Sequence, residues 1–354
     1  MKTSGKKKLV IAVLIILLVI VLAGVIVFEH YYSMLNRSEE ALDDGSIEQS
    51  DENDSALTGK ELDEDEISEL ENYLRENLEA EGGAYDFESK DVFNILLIGT
   101  DNRGISDSGY RSDTMMIVSI NKDTKKVTLS SALRDIYVAI PGCSPNRLNV
   151  AYAIGGPDLL IETLEANFKI PIDRYAKIDF FSFIKVIDII GGINLDVTAE
   201  EIGVMQRYIR ELNRIEGFDE NTDMLYESDE GPLQLNGKQA LAYARNRYTG
   251  YGDFSRTERQ RKVIMAVKDK SDELDLAKLN ELADAVLPEI TTNLTRGDVL
   301  FLLLNAFDFM DYEMQQYCIP QEGTYNLAMI DGMSVITVDF SANAEKWFNA
   351  VYGE

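Results

Sequence analysis

Histidine is almost missing from this chain. His30 is the single one among 354 residues, and it borders a long apolar run. Its scarcity excludes Ser–His–Asp and Cys–His catalysis, imidazole general bases and histidine-ligated metals. Cysteine is scarce too, and Cys143 and Cys318 are too few for a disulfide-dense scaffold or a four-cysteine zinc site. Basic residues are outnumbered, 34 against 62 acidic ones, for a net charge of −28. A nucleic-acid partner is excluded by that balance, because phosphate backbones select net basic surfaces. Seven prolines and 24 glycines rule out collagen-like and Pro-rich architectures. Chemistry is left to carboxylates, guanidiniums, amides and hydroxyls. The apolar content of 45% is enough for a folded domain.

Residues 9–28, LVIAVLIILLVIVLAGVIVF, carry no charge. A helix of about 20 residues spans about 30 Å, the thickness of a bilayer core. A cleaved signal peptide has a shorter apolar region, about 7–15 residues, ending in small residues at a cut site. Here Ala23-Gly24-Val25 runs on into further apolar residues, so the expectation is one uncleaved transmembrane helix. Lys6, Lys7 and Lys8 precede it and Glu29 follows it. The positive-inside rule then makes residues 1–8 a cytoplasmic tail and puts everything after residue 30 outside a single-pass cell-membrane anchor. Residues 29–90 read as an acidic extracytoplasmic linker. Within it, residues 37–90 hold 20 acidic and 4 basic side chains. Residues 43–60 have the composition of a disordered tether. Ile67, Leu70, Leu74 and Leu78 recur at helical spacing before Gly82-Gly83. That helix is either a stalk or self-association element, or a solvated helix lying against the domain edge.

Residues 91–354 read as one extracytoplasmic catalytic domain, long enough to bury a full core. Strands are expected at 92–98, 114–120, 126–131, 175–178, 193–197, 314–319 and 335–339. Helices are expected at 158–168, 180–190, 199–214, 255–270, 274–286, 296–309 and 341–351. The acidic stretch 216–232 reads as a surface loop. Interleaved strands and helices mean α/β, with helices on both faces of a mixed central sheet.

Three groups of residues can carry chemistry. Gly99-Thr100-Asp101-Asn102-Arg103-Gly104 follows a buried strand. Ile105 stands where a phosphate loop needs lysine, so that motif is rejected. Asp101 remains, at the carboxyl end of a strand, and Asp113 opens the next. The pair either holds one Mg²⁺ with waters and phosphate oxygens or caps two turns. Arg134 and Asp135 lie adjacent just past a strand. They form a strand-end ion pair, or Arg134 binds phosphate while Asp135 orients it or accepts a proton. Residues 238–262 hold seven bases and two acids inside an acidic domain. Five of those bases are arginines, the residue suited to bidentate phosphate clamping, so an anion site is favoured over a solvated basic helix. If the chain turns extended near Ala244, Arg245 and Arg247 share one face. Arg256, Arg259 and Gln260 share one face of a helix, with Asp253 in the loop between. Arginines, acids and the missing imidazole converge on Mg²⁺-assisted phosphoryl transfer. ATP is scarce outside the cell; a lipid-linked pyrophosphate is a donor present at a membrane surface.

The segments ILLIGTDNR, YRSDTMMI, SALRDIYVAIPG, NRLNVAYAIGGP, DIIGGINLDV, LNGKQALAYARNR and DFSRTERQRKV occur in order over residues 93–270. This ordered set resembles the LytR–CpsA–Psr family of Gram-positive cell-wall enzymes. The resemblance implies an α–β–α sandwich and a Mg²⁺-dependent phosphotransferase, with Mn²⁺ as an alternative ion. It implies transfer of a glycopolymer, such as teichoic acid or capsule, from undecaprenyl pyrophosphate to the muramic acid 6-hydroxyl of peptidoglycan. Asp101 and Asp113 match the family's metal-associated acids. Arg111, Arg134, Arg245, Arg247 and Arg256 match pyrophosphate-facing arginines, Gln260 a polar partner, and Arg147 a position often Lys or Arg. Arg259 joins the pyrophosphate-binding set by its helix face. Leu133 departs from the family's frequent proline and removes no charge. The hydroxyl proton goes to Asp135 or Asp253, and Ile184–Ile190 and Val299–Phe309 are candidate linings for a lipid slot. Rival functions are a polyprenyl-pyrophosphate hydrolase and a non-catalytic envelope regulator or lipid receptor. Cys143 and Cys318 either form a disulfide or stay as two thiols.

Overall fold

A computed structural model describes residues 25, 27–37, 59–80, 91–101, 112–271 and 273–353. The expected tail 1–8, nearly all of the anchor 9–28 and much of the linker lie outside the described residues. No helix of the described residues is long and apolar enough to cross a membrane.

The apolar run VFNILLIGT makes β2 (Val92–Thr100), and Asn121 with Lys122–Lys125 turns β3 (Ser112–Asn121) into β4 (Lys126–Ala132). The Asn121 side chain accepts from the backbone of Asp123 and Thr124, which closes that hairpin. These strands are the middle of a six-stranded sheet ordered β10-β7-β2-β3-β4-β11, with β7 at Arg174–Asp179, β10 at Thr291–Thr292 and β11 at Glu313–Ile319. Strand β2 runs parallel to β7 and β4 parallel to β11, while β2–β3, β3–β4 and β7–β10 are antiparallel. The sheet is therefore mixed, as expected.

Both faces are covered by helices. On one, Leu96, Ile98, Met115 and Ile117 pack with α2 (Leu148–Phe168) and α9 (Phe340–Tyr352), through Leu160, Leu164, Phe168 and Trp347. On the other, Met116, Ile120 and Leu129 meet Ile264 and Met265 of α6 (Gly252–Ser271) and Leu302 and Phe309 of α8 (Arg296–Met310). A second core joins α3 (Phe180–Ile189), α4 (Ala199–Glu216), α5 (Gly237–Arg245) and α6 around Ile187, Met205, Tyr243 and Val263.

Some expectations shift. The strand at 193–197 is β8, but it lies outside the central sheet and pairs with β9 (Gly231–Leu235), which opens inside the stretch read as loop. The helix expected from residue 158 begins ten residues earlier. Its first half buries Leu148, Val150, Ala151 and Tyr152 together, so it shows no one-sided period in sequence. Gly155 and Gly156 break it, and Pro157 restarts it. Two small sheets carry no strong sequence signal: the β5 (Tyr137–Val138) and β6 (Asn146–Arg147) hairpin, and β1 (Lys60–Glu61) with β12 (Tyr325–Ile330) and β13 (Met333–Val338). The helix expected in the linker is α1 (Glu64–Glu79). Of its two readings, the packed one is observed: Leu74 is fully buried in the main core and the Tyr73 hydroxyl accepts from Phe340 N at 3.0 Å. Cys143 and Cys318 are free thiols, so the disulfide alternative is set aside.

Candidate active site

Topology brings the charged residues to one edge of the sheet. Asp101 follows the last residue of β2, Asp113 is the second residue of antiparallel β3, and Arg134-Asp135 leave the end of β4. A register shift at Gly99/Thr100 re-aims the chain just before Asp101. The Arg134–Asp135 segment is pinned by its backbone, with Leu133 N donating to Ile319 O at 2.9 Å and Ile336 N to Asp135 O at 2.9 Å. Hairpin β5–β6 returns Arg147 beside Asp135. The two remaining pieces come from α5, which ends on Arg245, and from the first turn of α6, which holds Asp253 and Arg256. Gly250, at φ +73°, makes the turn between those helices in a conformation that favours glycine.

The charges interlock. Arg134 Nη1 donates to Asp113 Oδ1 at 2.9 Å, and Arg134 Nε lies 3.7 Å from both Asp135 Oδ1 and Asp253 Oδ1. Arg147 Nη1 donates to Asp135 Oδ1 at 3.3 Å. Arg256 approaches Asp253 Oδ1 at 2.5 Å and Asp113 Oδ1 at 3.7 Å. Arg245 lies 3.7 Å from Asp101 and 3.6 Å from Glu211. Its guanidinium is held between the rings of Phe180 and Tyr208, 4.9 and 4.6 Å from their centroids. All these side chains are largely buried, so their interactions are weakly screened.

Burial and charge pull the acids apart. Burial pushes Asp113 upward, but Arg256 and Arg134 outweigh it, and its pKa sits below the ordinary carboxylate value. Asp135 moves the other way. Burial raises it, and the nearby Asp253 adds to the rise against the pull of Arg134 and Arg147. Arg134, despite burial, is held more firmly protonated by Asp253, Asp135 and Asp113. Arg256 is lowered by burial and by Arg134 beside it.

Several polar atoms in this buried cluster make no hydrogen bond: Arg134 Nε, Arg245 Nη1, Arg256 Nε and both carboxylate oxygens of Asp253. Buried polar atoms whose hydrogen bonds are unmade are costly, and these guanidinium nitrogens, though within ion-pair range of carboxylates, keep unused hydrogen-bonding capacity.

The sequence-expected residues divide accordingly. Asp101, Asp113, Arg134, Asp135, Arg147, Arg245, Asp253 and Arg256 come together. Arg247, set by the helix end at Arg245 rather than by an earlier extended turn, donates to the Tyr248 hydroxyl at 3.3 Å. It remains within electrostatic reach of Tyr208, as do Arg245 and Arg256. Arg259 does not join the cluster: its Nε donates to Glu201 at 2.7 Å and its Nη1 to Asn246 O at 2.9 Å. Residues three apart on a helix lie only about 60° apart around the axis, so the two share a face and the split comes from their partners: Arg256 turns to Asp253 and Asp113, Arg259 to Glu201 and Asn246. Gln260 is half-buried on the same helix, and Arg111 lies outside the described residues. Sequence reasoning missed Phe180, Tyr208 and Glu211. No local pattern marks them, because they meet Arg245 only through the packing of α3 and α4 on α5.

A model of the LytR_cpsA_psr family matches residues 47–349. The chain belongs to that family. A polyisoprenyl-teichoic acid–peptidoglycan teichoic acid transferase, TagU of Oceanobacillus iheyensis, is 34% identical over 227 residues, 62% of this chain and 64% of that relative. The chain thus spans a little under two thirds of that relative's length. TagU of Enterococcus faecalis is 33% identical over 259 residues, 71% of this chain and 76% of the relative. The solved structure of the LytR–CPS2A–Psr protein YwtF (TagT) with bound octaprenyl pyrophosphate lipid has the same fold. Its TM-score is 0.55 at 24% identity, over 77% of this chain and 95% of that one.

Proposed function

We propose that this chain transfers a glycopolymer from an undecaprenyl-pyrophosphate carrier to the muramic acid 6-hydroxyl of peptidoglycan, outside a cell membrane in which residues 9–28 anchor it. The carrying observation is the set of buried guanidinium donors without hydrogen bonds, on Arg134, Arg245 and Arg256, converging at one sheet edge. A diphosphate offers the acceptors that such donors lack, in the bidentate geometry that arginine favours. The transferase names of the relatives support the cargo and the acceptor.

In this mechanism the diphosphate lies among Arg134, Arg147, Arg245 and Arg256, with Arg247 and Gln260 toward its rim. The muramic hydroxyl oxygen attacks the phosphorus that bears the glycan, and its proton passes to Asp135. Burial has raised the proton affinity of that carboxylate, which suits a base. The bond from that phosphorus to the bridging oxygen breaks, and undecaprenyl phosphate leaves with its new charge facing arginine. Asp253, in contact with both Arg134 and Arg256, holds the two guanidiniums in place.

A divalent cation fits here. Among the described residues no group of three His, Cys, Asp or Glu side chains forms a metal cage. Asp101 and Asp113 are two carboxylates on neighbouring strand ends, and the Asp253 oxygens are buried acceptors without a hydrogen bond. Mg²⁺ commonly takes one or two carboxylates and completes its shell with water and phosphate oxygens. Asp101 and Asp113 would hold Mg²⁺, or Mn²⁺ in its place, and the bound ion would neutralise charge on the diphosphate.

Arg134→Ala should lower transfer by about 10²–10³, the scale of losing one preorganised donor to developing negative charge. The full chain in vesicles, given a lipid-linked glycopolymer and peptidoglycan, provides the measurement. Unchanged transfer with an intact melting transition would sink the mechanism. Free polymer released at the same rate with or without peptidoglycan would instead assign a hydrolase.

A further inference from the structure

Helix α8 has two contrasting faces. Leu302 and Phe309 pack against the sheet. Leu300, Leu303 and Leu304 point away from it and are 45%, 56% and 73% exposed. At about 100° per residue these three fall within an arc of about 100°, an apolar stripe with no partner among the described residues. Burial of that kind of surface is the normal outcome, and a stripe left open marks an interaction face.

The segment of this chain that follows the apolar run indicates what covers it. Residues 27–34 are helical and dock at the start of α8. Glu29 accepts from Arg296 Nε at 3.1 Å and from Arg296 Nη2 at 3.2 Å. The Arg296 guanidinium stands 4.8 Å from the Tyr32 ring, and Tyr32 is buried. The Tyr31 hydroxyl bonds Asn280 of α7 (Leu276–Val286). Asn36 then adds to the edge of β10, donating to Ile290 O and accepting from Thr292 N, both at 3.0 Å. The segment just after the apolar run is thus fastened to the domain at several points.

Distance follows from that fastening. Tyr32 is four residues past Phe28, the last residue of the uncharged run, so the two lie about 6 Å apart along a helix. The headgroup zone on each side of a bilayer is about 5–7 Å deep. A run that ends in the hydrocarbon at Phe28 therefore holds the α7–α8 end of the domain inside the headgroup layer. Leu300 to Leu304 are within about 12 Å of Arg296 along the α8 axis. Tyr31, partly exposed beside buried Tyr32, supplies an aromatic side chain of the kind that favours this zone.

We infer that the Leu300–Leu303–Leu304 face of α8 lies on the outer leaflet, partly inserted at the boundary of headgroups and acyl chains, as a second membrane contact beside the anchor. It rests on the anchor assigned to residues 9–28 under the proposed function, and on no step of the transfer reaction. Its effect is to fix the domain's orientation on the surface instead of letting it swing on a tether.

The test uses the full chain with Cys143→Ser, which removes the exposed native thiol, and Leu304→Cys carrying an environment-sensitive fluorophore. The protein is reconstituted in vesicles of equal parts phosphatidylglycerol and phosphatidylcholine. A nitroxide placed high on the acyl chain should remove most of the emission, and aqueous iodide should remove little. Protein that stays on the vesicles through alkaline carbonate, with a label quenched by iodide and untouched by the nitroxide, would overturn the docking while keeping the anchor. Protein stripped by carbonate would overturn the anchor and the docking with it. A label shielded from both quenchers would assign the face to a second protein surface and overturn the bilayer as occupant. A parallel label at Leu303→Cys guards against one position failing to report.

Discussion

Asp135 separates chemistry from stability. Its carboxyl is raised by burial, against Arg134 and Arg147, so folding makes its ionised form less favourable than it is in the open chain. A raised folded pKa means stability that is present at low pH and is lost as the pH climbs through the folded value. Asparagine keeps the shape and does not titrate. Asp135→Asn should therefore lower kcat by about 10²-fold or more, the worth of a positioned base, with a Tm at neutral pH no lower than that of the parent. Transfer kinetics beside thermal melting check this, and a large fall in Tm would recast Asp135 as a structural counter-ion. Arg245 is a different case, because Phe180, Tyr208 and Glu211 hold its guanidinium before any ligand arrives. Preorganised donors of this kind need no rearrangement as charge develops.

Helix α4 and helix α6 are clamped together away from the buried arginine–aspartate cluster. Glu201 occupies the third position of α4, closes a capping box with Thr198 and accepts from Arg259 at 2.7 Å. Burial pushes its carboxyl up, but bonds from Thr198 and Arg259 win, and its pKa lies below the usual value. The stabilisation is present above the unfolded value and is lost as the pH falls through the folded one. Glu201→Gln keeps the capping geometry and removes the ion pair. It should cost about 1–2 kcal/mol at neutral pH, the worth of a mostly buried pair discounted for partial solvent screening. The gap between parent and variant should close as the pH falls through the lowered folded value, read from urea unfolding across the acid range. A gap constant down to low pH would show that Glu201 acts through packing alone. The arginine-rich stretch that looked like one surface in sequence thus serves two ends: Arg256 faces the site, and Arg259 ties the helices beneath it.

The whole molecule carries a net charge of −28 and keeps a buried basic cluster at one sheet edge. Self-repulsion at that charge destabilises the compact state, while added salt screens exposed charges over about 10 Å at 0.1 M. Tm should therefore rise between about 0.05 and 0.5 M NaCl. A Tm that falls instead would mean that surface ion pairs outweigh the repulsion. The domain also reaches further back than composition indicates. Strand β1 pairs with β12 and α1 buries Leu74, although both lie in the acidic stretch between the apolar run and the first strand of the central sheet.

Periodicity and charge in the sequence were enough for the central hairpin, for most of the helices and for the mixed α/β architecture, because each of these is a local pattern of apolar spacing. They also marked the acids and arginines, since few residue types remain once histidine is gone. What the tertiary structure decided is which of those charges meet. Arg134 leaves a strand of the central sheet, Arg147 comes from the β5–β6 hairpin, and Arg245 and Arg256 come from α5 and α6, so only the packing of those elements at the strand ends brings them together. The split between Arg256 and Arg259, the extension of α2 back to Leu148 and the docking of α1 were settled the same way. Each depends on what the neighbouring layer offers, and spacing along one strand or helix carries no record of a neighbour a hundred residues away.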